Sequence, residues 1–245
     1  MSLAPNEPVD EPTLRDFLGR VLGWGKHRAV DRAVRSIHLS LARDAVLVLL
    51  GEDDLVPLAL ALHRRTLGAA RPFVVCDPRR GNWKPTVRSP GNRVSGAEAL
   101  AAAAGGTLCL RHSRLPDDYA KMTEMAREPD AAVRVVVCAA PSADPFLILP
   151  GPLTIPPLAS RAEDLPRIIE EYGQDAVATL GARPDAFTAE DRAWIARSCA
   201  TTLHEVEKAA LRLVALRMAG SISGAAGRLG MAPVSLRRWI ARKAE

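Results

Sequence analysis

The sequence predicts an α/β fold, a parallel sheet flanked by helices, followed by a wholly helical C-terminal region. Three observations predict it. Short Val- and Leu-rich runs, "AVLVLL" (45–50), "RPFVVCD" (71–77), "GTLCL" (106–110) and "VRVVVCAA" (133–140), alternate with segments of helical character, the pattern of strands buried on both faces. The Pro-rich stretch "PSADPFLILPGPLTIPPL" then breaks the alternation and must run largely extended, since proline removes a helix donor and restricts the residue before it. Beyond it every segment reads as helix, from "RAEDLPRIIEEYGQDAVATL" through "TAEDRAWIARSCATTLHEVEKAALRLVALRMA" to a final pair of short helices.

Taken in order, residues 1–13 combine Pro, Asn, Asp and Glu with few large apolar groups, and a disordered lead is expected there. "LRDFLGRVLGWGKHRAVDRAVRSIHLSLAR" (14–43) reads as helical turns broken near Gly23 and Gly25. After the first strand, "GEDDLVPLALALHRR" (51–65) enters a helix as a phosphate-binding loop does. A working loop of that kind reads G-x-x-x-x-G-K-S/T, and here the second Gly, the Lys and the hydroxyl residue are missing. The 245 residues suffice for one sizeable core and a small second unit, and 48% apolar with 25% charged residues is ordinary globular composition. No apolar stretch approaches the roughly 20 residues of a membrane span, and "MSLAPNEPVDEP" has neither the basic start nor the apolar core of a signal peptide. A cytoplasmic protein without a membrane partner is expected. Cys76, Cys109, Cys138 and Cys199 form no CxxC pair and read as reduced, buried thiols, so neither a metal nor a cofactor is expected.

The charge is unevenly placed. From Lys208 to Glu245, eight basic residues stand against Glu245 alone, a net +7 within a chain of net +5, which leaves −2 for the other 207 residues. A mildly acidic body with a basic tail suits a nucleic-acid-binding appendage. Within the tail, "GSISGAAGRLGMAPVSLRRWIARKAE" places the small residues Ala225 and Ala226 in a first helix, a turn at Gly230, and a second helix from Pro233. Ile222, Leu229, Met231, Leu236 and Ile240 would lock the two helices together as a helix-turn-helix. The outer side of the second helix then offers Val234, Ser235, Arg237, Arg238, Arg242 and Lys243 to a major groove and its phosphates. Ser221 or Ser223 is placed to cap the first helix and bond a phosphate.

The tail resembles the Fis-type helix-turn-helix at the C-terminus of sigma-54-dependent transcription activators. The body is similar to the AAA+ domain of that family in an eroded form. "VLVLLGEDDLVPLALALHRRTLGAARPFVVCDP" follows its first strand, phosphate loop, helix and second strand; "GGTLCLRHSRLP" occupies the Walker B position; "VRVVVCAA" matches the sensor strand; "IPPLASRAEDLP" matches the turn into the lid. The resemblance implies a degenerate P-loop AAA+-like domain (14–158), a helical lid-like subdomain (159–202) and a Fis-type DNA-binding domain (203–245).

The departures bear on mechanism. Asp53, Asp54 and Pro57 stand where the family's Lys and hydroxyl residue hold phosphate and magnesium, and Arg111 and His112 replace the two Walker B acids. The sensor region reads "AAPSAD", the arginine-finger segment is reduced to "DPFLILPG", and "ATTLHEV" leaves His204 in place of a lid arginine. The loss of ATPase activity is therefore expected. The family's sigma-54 contact, a GAFTGA loop, is reduced to "NRVSGA", in which Ser95, Gly96 and Ala97 echo its second half. The expectation is a sequence-specific DNA-binding transcription regulator with an inactive AAA+-like scaffold. Its partners would be double-stranded DNA, a second copy of the chain paired through "LHEVEKAALRLVALRM", and RNA polymerase or related regulators. Alternatives are an ATP-dependent sigma-54 activator with an atypical phosphate site and an interaction protein modulating intact family ATPases. His63, His112 and His204 lack ligand spacing, the acids at 52–54 read as a solvated turn or helix cap, and Arg79, Arg80, Trp83 and Lys84 read as a surface loop.

Overall fold

The computed structural model of the protein describes residues 9–42, 46–86, 89–126, 128, 132–142 and 152–244, with side chains as far as Ala241. The first eight residues of the expected lead and the "DPFLILPG" segment lie outside the described residues. Two compact units result: residues 1–85 with 90–156, and residues 86–89 with 157–245.

In the first unit, helix α1 (Glu11–Leu22) starts inside the expected disordered lead. The Asp10 carboxylate accepts the Thr13 backbone N–H at 3.2 Å, and Pro12 sits in the first turn, where its missing donor loses nothing. Gly23, at φ 106°, ends the helix in a conformation a side chain would resist, and the chain turns into α2 (His27–Ala42), as the two glycines predict. Then follow β1 (Leu47–Leu50), α3 (Val56–Thr66), β2 (Phe73–Cys76), β3 (Gly91–Arg93), α4 (Gly96–Ala102), β4 (Thr107–Arg111), α5 (Tyr119–Ala126), β5 (Arg134–Ala139) and β6 (Leu153–Thr154). The six strands form one parallel sheet in the order β3-β2-β4-β5-β1-β6, so the fold is α/β as the alternation predicts.

Period-two alternation gives the sheet two faces. Val74, Cys76, Leu108, Leu110, Val135 and Val137 pack with Ala99, Leu100 and Met122 from α4 and α5. Residues of opposite parity meet α3: Thr107 bonds His63, and Arg134 bonds Thr66. The four predicted strands are all present. The edge strands β3 and β6, of three and two residues, went unread because a run that short carries no detectable period. The GAFTGA-like echo enters α4. Ser95 caps α4 by accepting the Glu98 N–H, and the Asp118 carboxylate accepts the Gly96 and Ala97 N–H groups at 3.0 Å each, so these residues begin a helix.

The second unit contains α6 (Leu165–Leu180), α7 (Ala189–Ser198), α8 (Leu203–Ala219), α9 (Ile222–Arg228) and α10 (Pro233–Ala244). The expected lid-like segment and the C-terminal segment thus share one core. Its spine is α6 against α8. Ile168, Ile169, Ala176 and Val177 of α6 are buried, as are Val206, Ala209, Ala210, Val214 and Ala215 of α8. Gly173 allows the Phe187 ring to lie against α6 where a Cβ would collide with it. Thr188 and Asp191 form a capping box at the start of α7, and Arg217 of α8 donates to both Asp191 oxygens at 2.9 and 3.1 Å.

Candidate functional site

The C-terminal ends of parallel strands are where α/β proteins place ligands. Here the loop after β1 and the end of β4 meet at that edge. Asp54 is held by its own turn: its backbone N–H donates to the Asp53 carboxylate at 2.7 Å, and its carboxylate accepts the Val56 N–H at 3.2 Å, in the turn that precedes α3. Arg111, the last residue of β4, reaches past β5 and donates Nη2 to both Asp54 oxygens at 2.9 and 2.8 Å. Two residues singled out from the sequence, the acid after β1 and the base at the end of β4, are therefore partners. The carboxylate and the guanidinium offset one another's charge.

Next along the same edge, Asp77 follows β2, is 1% exposed, and accepts from Arg114 Nη1 at 2.9 Å. Asn92 of β3 bonds the Asp77 backbone in both directions, and its side chain also donates to the Gly81 carbonyl. In the loop between β2 and β3, Trp83 donates its indole N–H to the Pro90 carbonyl at 2.8 Å, while Arg79, Arg80 and Lys84 are exposed. His63 is buried on the α3 side, between the Thr107 hydroxyl (2.8 Å) and the Arg71 carbonyl (3.0 Å), which fixes Nε2 as the donor. Burial, with nearby Arg134, Arg64 and Arg71, pulls its pKa down to about 4. His112 lies in a short turn after β4 and His204 lies on α8 beside Glu207, so the three histidines occupy separate elements. All four cysteines are buried and unbridged, and among the described residues no group of three or more His, Cys, Asp or Glu side chains is arranged to hold a metal ion.

The other predicted site is the final helix pair. Ser221 caps α9, its hydroxyl accepting the Gly224 N–H at 3.1 Å. Ala225 and Ala226 are fully buried, and Gly230, at φ 63°, turns the chain, with Met231 N–H closing onto the Ala226 carbonyl at 2.9 Å. Pro233 starts α10. Leu236 and Trp239 point inward at i, i+3 spacing and are 0% and 8% exposed; Ile222, Met231 and Ile240 are half-buried and Leu229 fully buried. Val234, Ser235, Arg237 and Arg238 come out together on the exposed face, along with Ser221 and Ser223 of α9. Arg242 and Lys243 fall in the last turn of α10, and their side chains lie outside the described residues.

Trp239 is the residue that sequence reasoning missed. Its ring meets Trp194 of α7 edge-on at 5.4 Å, and the Arg212 guanidinium of α8 lies 4.7 Å from its centroid. The signal was an aromatic three residues after Leu236, easily read as part of the basic face. Arg212 and Arg217, both counted in the basic tail, are thus engaged inside the unit, one on Trp239 and one on Asp191. Of the other described basic side chains of the tail, Lys208 is half-buried and Arg228, Arg237 and Arg238 are exposed, with no acid between Gly220 and Ala241.

No protein-family model matches the chain, and no curated protein matches it. Among solved structures, it is similar to NtrX from Brucella abortus in complex with ATP, at 17% identity over 89% of this chain and 68% of that one, with a TM-score of 0.45. A second crystal structure of NtrX from Brucella abortus is similar at 14% identity over 88% of this chain and 68% of that one, with a TM-score of 0.44. Among the described residues, no helix is long and apolar enough to cross a membrane.

Proposed function

We propose that the protein is a sequence-specific DNA-binding transcription regulator in which α10 reads the major groove and the α/β unit is an AAA+-like scaffold without phosphate turnover. The observation that carries this reading is the outer face of α10. Val234, Ser235, Arg237 and Arg238 are exposed side by side while Leu236 and Trp239 anchor the same helix from behind, so a rigid, acid-free face is offered for base edges and phosphates. The scaffold half rests on the Asp54 and Arg111 pair, which sets a carboxylate where phosphate would be cradled and a guanidinium where magnesium would be held. Because the apolar face of α8 is used within its own unit, pairing on this reading occurs on the DNA, with two copies on half-sites about 34 Å apart, rather than through α8.

The test is selection of genomic fragments by the intact chain and by the Arg237→Ala/Arg238→Ala variant, with affinities measured across a salt series. Selective enrichment of one sequence class by the intact chain, lost in the variant and falling steeply with salt, is the expected result. Equal, unselective retention by both proteins would overturn the reading. Shortening the chain before α9 is a poorer test, since it would strip Trp194 and Arg212 of their Trp239 partner.

A further inference from the structure

We infer that Val234 is a specificity-determining residue that contacts the C5-methyl group of one thymine per half-site in the major groove. This rests on the DNA-binding reading above and deepens it. Among the described residues, the large hydrophobic side chains with more than a third of their surface exposed are Leu39, Val94 and Val234, and Val234 is the most exposed at 49%. The three lie on α2, after β3, and in the first turn of α10. Within the described residues of its own unit, Val234 is therefore the large apolar side chain that is exposed, without a contiguous patch of such side chains around it.

Its neighbours define what it can meet. Ala232, Pro233 and Ser235 are exposed and short, so a partner surface can approach the helix closely at this point, and Arg237 and Arg238 follow on the same exposed face. In the major groove the thymine methyl is the one apolar feature of the base edges. A β-branched valine on a helix has one strongly preferred rotamer, so its methyl groups are held in place before contact. The next residue, Ser235, carries a hydroxyl that can bond either base of an adjacent pair. An exposed apolar contact followed on the same helix by Arg237 and Arg238 thus matches a thymine methyl with phosphates to one side of it, rather than an apolar protein groove or a bare anion.

The experiment uses the intact chain, Val234→Ala and Val234→Thr, on the sequence selected above and on copies in which each thymine in turn is replaced by deoxyuridine. That replacement removes only the methyl group. For the intact chain, one replacement should weaken binding about fourfold, the worth of one buried methyl group. Val234→Ala should lose the difference between the two DNAs, and Val234→Thr, which keeps one methyl, should retain much of it. Alanine favours helix at this exposed position, so loss of fold is not expected, and circular dichroism of the variant checks it. If a sequence is selected but no thymine replacement distinguishes the intact chain from Val234→Ala, this inference fails and the DNA-binding reading stands. If no sequence is selected at all, both fail.

Discussion

Asp54 and Arg111 show how a substitution pattern that looks like decay can be a matched pair. Arg111 keeps 16% and Asp54 39% of its side-chain surface exposed, so the pair is partly screened and its net worth is modest, about 1 kcal/mol. Asp54→Arg and Arg111→Asp should each destabilise the first unit, and the combined swap should recover most of the loss. Urea unfolding of the four proteins measures the coupling directly; strictly additive effects would show that the pair contributes nothing. His63 has a different signature. Its folded pKa of about 4 lies below the ordinary 6.5, so the unfolded chain takes up the proton first as the solution is acidified. Its contribution is complete above pH 6.5 and is lost as pH falls through the window down to about 4. Thermal unfolding of the intact protein should therefore steepen in pH dependence across that window relative to His63→Gln.

At the scale of elements, the C-terminal helix pair is not a separate appendage. α10 is fastened by Trp239 to Trp194 of α7 and Arg212 of α8, and α8 in turn is fastened to the start of α7 by Arg217. Trp239→Ala should cost about 3 to 5 kcal/mol, the usual toll for deleting a large buried aromatic, and, on the proposed DNA-binding function, should weaken binding by loosening the exposed face. Arg237→Ala should leave stability within about 0.5 kcal/mol while lowering affinity, and chemical denaturation run beside binding separates the two effects. A helix can also be overfilled. Gly173→Ala would gain helix propensity yet drive a methyl into the Phe187 ring, for a net loss of about 1 to 3 kcal/mol.

For the whole molecule, the scaffold reading makes two expectations concrete. Magnesium ATP at millimolar concentration should leave the melting temperature unchanged, because a ligand that binds the folded state must raise it; a rise of several degrees would sink the inactive-scaffold half of the proposal. Sedimentation of the free protein should show a monomer, with two copies appearing together only on a two-fold-symmetric site. A stable dimer without DNA would mean that some face other than the inward side of α8 pairs in solution.

The sequence by itself determined the elements whose cause is local. Val- and Leu-rich runs gave four of the strands, Gly23 and Gly230 gave two turns, and Ala225 and Ala226 with Pro233 placed the final helix pair. It also supplied the candidate face, because residues two, three, five and six of a helix anchored at its fourth and seventh must lie outward together. Tertiary structure decided what depends on partners distant in the chain. That the buried side of α8 packs on α6, that Arg217 and Arg212 close onto Asp191 and Trp239, and that Asp54 meets Arg111 depend on residues distant in the chain, 26 to 57 positions away for the three side-chain pairs. Residue type and periodicity carry no record of such pairings, since a charged side chain has the same local pattern whether it faces water or an opposite charge.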